Sequence, residues 1–136
     1  MTRALGIDLG EARVGVAATD DLGMLAHPLE TIPVKSGGVM KRILDLAKEK
    51  NVEAIVVGMP RNMDGTFGPA AQKAREFIEA LQAKTPCRVV AWDERLTTVS
   101  AQRSLHEAGR NSREQRSVID QVAAQILLQS WLDSQP

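Results

Sequence analysis

Four carboxylates stand where acids are costly. Asp8 lies within "ALGIDLGEARVGVAATD", residues 4 to 20, in a stretch that otherwise reads as a buried strand. Side chains alternate along a strand, so Ala4, Gly6, Asp8 and Gly10 share one face and Leu5, Ile7 and Leu9 the other. The first face is a nearly bare floor from which one carboxylate projects, with room above it for a ligand or an ion. Asp93 and Glu94, in "WDERLTT", stand where a later apolar strand leaves its sheet, the end at which sites form in such sheets. Asp120 belongs to "SVIDQVAAQILLQSWL". At about 100° per residue it projects within about 20° of both Leu127 and Trp131. It therefore belongs to the apolar side, one turn from Ala124, apart from Gln121, Gln125 and Gln129, which read as solvated.

Carboxylates that converge repel one another unless a cation lies between them, and an uncompensated buried charge is very costly. Hard oxygen donors with space for water suit Mg²⁺ or Mn²⁺. Such a cluster activates a water and stabilises the leaving oxygen in phosphodiester cleavage. No other nucleophile stands out: Cys87 has no histidine near it in sequence, and His27 and His106 lack zinc-ligand spacing. Each acid also has an ordinary use. Arg13 is a partner for Asp8, a helix start would favour Asp120, and "DERLTT" resembles a capping sequence with Thr97 or Thr98 as N-cap.

The elements that must position these acids follow from periodicity and turn formers. Strands are expected at about 4–9, 14–19 and 24–32, broken by "GEAR" and "DDLG". "GGVMKRILDLAKEKN" carries Val39, Ile43, Leu46 and Ala47 at helical spacing, with Asn51 suited to its end. "EAIVVGMP" is a wholly apolar strand of the kind found mid-sheet. "GPAAQKAREFIEALQAK" is a helix with Pro69 in its first turn, and "CRVVAWDE" is a fifth strand. "TTVSAQRSLHEAG" and "SVIDQVAAQILLQSWL" are two further helices. Three antiparallel strands followed by two right-handed crossovers give a mixed five-stranded α/β sheet flanked by helices, the outline of the ribonuclease H-like fold.

The chain of 136 residues is expected to form one domain, 1–136. Its hydrophobic fraction of 43% and charged fraction of 25% are those of an ordinary soluble globular protein. A single cysteine excludes an internal disulfide framework. With no signal-like segment and no membrane-length apolar run, a cytoplasmic location is expected. Seventeen basic and seventeen acidic residues balance, so a nucleic-acid partner would need a local basic patch. "QRSLHEAGRNSREQR", residues 102 to 116, offers one, with Arg103, Arg110, Arg113 and Arg116 against Glu107 and Glu114, a surplus of +2 with His106 besides. Its alternative is a solvated surface loop. Two Phe, two Trp and no Tyr leave little material for stacking several unpaired bases.

"GIDLGEARVGVA", "VVGMPRNMDGTFGPAA", "DERLTT" and "IDQVAAQILLQ", in this order and spacing, resemble the YqgF/RuvX family, small ribonuclease H-like nucleases related to the Holliday-junction resolvase RuvC. The resemblance spans almost the whole chain. It implies a divalent-metal-dependent endonuclease that leaves a 3′-hydroxyl and a 5′-phosphate. Its substrate would be structured nucleic acid, either the 5′ end of precursor small-subunit (16S) rRNA or a four-way DNA junction. The catalytic and metal-binding set it implies is Asp8, the acid of "DER" (Glu94 or Asp93) and Asp120, with Mg²⁺ or Mn²⁺. Arg13 and Arg95 follow acidic motif positions and would hold the scissile phosphate or orient a carboxylate. Arg61, Asn62 and Gly65 would meet a phosphate backbone or simply make a turn; the family carries Leu at the position of Arg61. Met59 and Met63 read as packing residues. Family members are often dimeric, and a junction resolvase should be a two-fold dimer making paired cuts, yet no dimer face declares itself in the sequence. RNA against DNA stays open.

Two rivals belong to other classes. "GIDLG" also resembles the phosphate-binding hairpin of the actin, sugar-kinase and Hsp70 superfamily, but those proteins need two lobes and the chain has material for one. A non-catalytic nucleic-acid or ribosome-precursor binding module suits the zero net charge. It gains nothing from acids clustered against phosphates.

Overall fold

The computed structural model describes residues 2–62, 64–97 and 113–135, with side chains from residue 119 onward in the last segment. Strands β1 (Ala4–Leu9), β2 (Arg13–Thr19) and β3 (Ala26–Pro33) form an antiparallel meander. Helix α1 (Val39–Glu49), strand β4 (Ala54–Met59), helix α2 (Pro69–Gln82), strand β5 (Arg88–Asp93) and helix α3 (Arg113–Ser134) follow. β4 pairs parallel with β1, and β5 with β4, giving the sheet order β3-β2-β1-β4-β5. This is the mixed five-stranded ribonuclease H-like arrangement expected from the sequence, with Asp8 on the middle strand. Asn51 takes left-handed φ 52° just past α1, and Pro69 opens α2. Among the described residues no helix is long and apolar enough to cross a membrane.

The sheet has two unlike faces. Leu5, Ile7, Val14, Val16, Ile55 and Val57 pack under α1 and α2 against Ile43, Leu46, Ala74, Ile78 and Leu81. The other face presents Ala4, Ala17, Ala54 and Val56 to Ala124, Leu128 and Trp131 of α3. Small residues there let the helix backbone come close. A Cβ on Gly6 would stand 2.7 Å from Cβ of Leu128 and 2.8 Å from the carbonyl oxygen of Ala124.

Three expectations change. β3 begins at Ala26 rather than at residue 24, because Oδ1 of Asp20 accepts from the Met24 amide at 2.8 Å and closes the hairpin turn first. α3 begins at Arg113, about a turn before "SVID". Its glutamines are not a solvated stripe. Gln121 donates to Oγ1 of Thr31 at 3.1 Å, Gln125 donates to the Ala26 carbonyl at 3.0 Å, and Oε1 of Gln129 accepts from the Ala26 amide at 2.9 Å. Spaced four apart, they lie on one side of the helix and fasten α3 to β3. Beyond Thr97, the expected helix in residues 97–109 lies outside the described residues.

Candidate active site

The floor of the site spans three strands. Asp8 is 1% exposed and stands cross-strand from Gly15 of β2. The parallel register Ile7↔Val57 brings Gly58 of β4 alongside it. Each glycine makes room for a different acid. A Cβ on Gly15 would collide with the carbonyl oxygen of Asp120, and one on Gly58 would lie 3.0 Å from Oε1 of Glu94. Asp8 is thus flanked by the α3 backbone at Asp120 on one side and the Glu94 carboxylate on the other. Of the two glycines flanking Asp8 in sequence, Gly6 lies on this floor, against α3. Gly10 belongs instead to the β1–β2 turn, where its amide donates to the Arg13 carbonyl at 2.9 Å. Gly15 and Gly58 were missed; a glycine inside a strand marks a close approach, but which strands approach is set by pairing.

Alternation separates the two acids of "DER". Asp93 is in register with Met59, whose side chain belongs to the core under α1 and α2, so Asp93 points away from the face of Asp8. Its carboxylate is taken up by arginines. Oδ1 accepts from the Arg95 amide at 2.9 Å, and Oδ2 accepts from Nη2 of Arg95 at 2.9 Å and Nη1 of Arg61 at 3.2 Å. Hydrogen bonding from the Arg95 guanidinium, against a smaller opposing cost of burial, holds the Asp93 carboxyl below the usual carboxylate range. Glu94, one residue on, returns to the face of Asp8 in a single 3₁₀ turn, Glu94–Leu96, that Asp93 caps.

Asp120 is 8% exposed and lies on α3 beside the buried Ala123 and Ala124, as the projection predicts. Seven residues inside the helix, it is beyond the first turn where the dipole would favour it. Oδ2 accepts from Nε of Arg13 at 2.7 Å, so Arg13 is the ion-pair partner of Asp120 rather than of Asp8. Among the described residues no three His, Cys, Asp or Glu side chains form a ready metal shell. Arginines hold two of the acids instead. The donor chemistry still fits a hard divalent cation: Asp8, Glu94 and Asp120 are all oxygen ligands, around a cradle that a Cβ at Gly15 or Gly58 would fill.

The β4–α2 loop forms a hydrogen-bonded turn. Arg61 donates from Nε and Nη2 to the Gly65 carbonyl at 3.1 and 2.5 Å. The Asn62 side chain donates to Oγ1 of Thr66 at 2.9 Å, the Asn62 backbone carbonyl accepts from the Gly65 amide, and Gly65 sits at φ 88°, a conformation that favours glycine. Met59 is a packing residue, 8% exposed. Met63, Thr98, Arg103, His106 and Arg110 lie outside the described residues. Arg113 and Arg116 lie on α3, with side chains outside the described set.

The family described as "RuvX: Holliday junction resolvase" matches residues 2–134. A protein of Acetivibrio thermocellus named "Putative pre-16S rRNA nuclease" is 46% identical over 97% of this chain and 96% of its own. A protein of Mycobacterium tuberculosis with the same name is 50% identical over 96% of this chain and 78% of its own. The structure of Thermus thermophilus RuvC in complex with a Holliday junction substrate matches with a TM-score of 0.57 at 18% identity, over 97% of this chain and 94% of that one. That likeness shows a shared fold. With the family pattern spanning nearly the whole length, the chain belongs to the RuvX family.

Proposed function

We propose that the protein is a divalent-metal-dependent endonuclease that hydrolyses phosphodiester bonds in structured nucleic acid. The observation that carries this reading is the glycine-floored cradle, in which Asp8 lies between Asp120, seated over Gly15, and Glu94, seated over Gly58. Asp8, Glu94 and Asp120 would hold Mg²⁺ or Mn²⁺, which when bound supplies an activated water and charge stabilisation at the leaving oxygen. Asp8 anchors from the rigid middle strand. Asp120 brings the helix side of the site, and Arg13, bonded to it, offers a guanidinium where a phosphate would arrive. Arg95 and Arg61, held by Asp93 on the opposite face, stand at the same end of the sheet. Asp93 is a positioning residue for these arginines, with Glu94 the acid of "DER" that faces the cation.

The names of the curated relatives favour precursor 16S rRNA, and the family description favours four-way DNA junctions. Both substrates therefore belong in one assay. Wild type and Asp8→Asn are incubated with each labelled substrate in Mn²⁺ or Mg²⁺, with EDTA controls. Wild type is expected to cut at least one substrate, with cutting lost in EDTA and in Asp8→Asn; the one cut identifies the role. Cleavage that survives Asp8→Asn would overturn the assignment of the site. Binding without cleavage by wild type would make the protein a nucleic-acid-binding module.

A further inference from the structure

A carboxylate that is to share a cation must be held to within about 0.5 Å. Glu94 stands on a single 3₁₀ turn at the end of β5, and among the described residues β5 pairs with β4 alone. What steadies this turn lies on the other face of the sheet. Oδ1 of Asp93 caps the turn by accepting from the Arg95 amide at 2.9 Å. Oδ2 accepts from Nη1 of Arg61 at 3.2 Å, and Nε and Nη2 of the same guanidinium donate to the Gly65 carbonyl at 3.1 and 2.5 Å. The Arg61 guanidinium also lies over the Phe67 ring, 4.5 Å from its centroid, and Arg75 of α2 lies 4.7 Å from the same point. One side chain thus joins the β4–α2 loop to the cap of the turn that carries Glu94.

A guanidinium that grips phosphate needs open donors. All three nitrogens of Arg61 are bonded within the protein, and its side chain is 28% exposed against 40% for Arg95. A planar fork shared between a carboxylate, a carbonyl and a ring face is spent on holding the protein together. We propose that Arg61 is a positioning residue for Glu94. Through Asp93 it ties the end of β5 to the β4–α2 loop, and so fixes where the Glu94 carboxylate stands over Gly58. Because Asp93 and Glu94 are neighbours that face opposite ways, a clamp on one face sets an acid on the other. The role concerns a cation ligand, so it rests on the endonuclease reading.

The test is Mn²⁺ binding to the folded protein without substrate, followed by electron paramagnetic resonance of the free ion. Arg61→Met keeps an unbranched stem and removes the guanidinium. By charge alone, deleting a cation bonded to the residue beside Glu94 would tighten Mn²⁺. Loss of the clamp should instead weaken it by about 10- to 100-fold, the usual cost of removing a ligand's supporting partner. Arg61→Lys can pair with Asp93 but cannot also fork onto Gly65, and should fall between; it carries the same comparison should Arg61→Met fail to fold. Adding Asp93→Asn to Arg61→Met should cost little more, because the two side chains act as one unit. Additive losses would make Asp93 a ligand in its own right and overturn the clamp. Unchanged or tighter Mn²⁺ binding in Arg61→Met, whatever its Tm, would also overturn it. If the salt slope of junction binding in EDTA then fell by about one, Arg61 would be a phosphate contact. A wild type that binds no Mn²⁺ would remove the endonuclease reading as well.

Discussion

The two faces of the sheet are built from alternate residues of the same strands, and they do opposite work. Beneath α1 and α2, β1 contributes Leu5 and Ile7, fully buried among branched aliphatic neighbours. Beneath α3 the same strand contributes Ala4, Gly6 and Asp8, and its neighbours contribute Gly15, Ala17 and Gly58. One face gains stability from volume. The other gives up volume so that the α3 backbone and the Glu94 carboxylate can approach the strands. Stability and chemistry are therefore separable by a shift of one residue, a consequence of the two-residue period.

Substitutions at adjacent positions should pull the faces apart. Asp8→Asn is expected to cut cleavage by at least about 100-fold, more than the usual cost of a ligand's supporting partner, while its Tm in EDTA holds or rises because a charge leaves a crowded acidic site. Its neighbour Ile7→Ala should cost about 2–5 kcal/mol in urea unfolding, with cleavage per folded molecule preserved. A large Tm drop in Asp8→Asn, or lost specific activity in Ile7→Ala, would break the division. Gly15→Ala tests whether the bare face is bare for a reason. The added methyl meets the α3 backbone at Asp120, so a loss of about 1–3 kcal/mol together with reduced activity is expected. A neutral result would mean that α3 is free to shift.

The smallest effect concerns the arginine-held acid. Asp93 has a carboxyl held below its ordinary value, so it takes up its proton more readily unfolded than folded. The stability it lends is whole above the unfolded value, about pH 4, and is lost as pH falls through the folded one. Wild type should therefore lose more of its urea midpoint than Asp93→Asn on acidification below about pH 4. Parallel acid profiles would show that the clamp contributes nothing to folding.

How far the sequence reveals this depends on distance along the chain. The alternation in β1, the apolar run of β4 and the placement of Asp120 on the buried side of its helix are local patterns, readable within a few residues. The Arg13–Asp120 bond joins residues 107 apart, and only the fold gives Arg13 to Asp120 instead of the nearer Asp8. Gly15 and Gly58 gain meaning from strand register, which no local pattern states. The glutamines of α3 read as solvated because their partners lie on β3, about a hundred residues away. Asp93 and Glu94 differ by strand parity, legible only once the face of Met59 is known.

The sheet order β3-β2-β1-β4-β5 has one more consequence. Asp8 rides on a strand bonded on both sides, whereas Glu94 follows β5, the outermost strand on its flank, none of whose residues is fully buried. Local openings are cheapest where backbone hydrogen bonds are solvent-exposed and few apolar contacts must break. The two carboxylates thus occupy opposite rungs of the molecule's ladder of amide-exchange protection. Glu94 is therefore expected to part from Asp8 before the central strands open, so cleavage activity should be lost on heating at a lower temperature than the fold, which activity and unfolding followed over one temperature series would check.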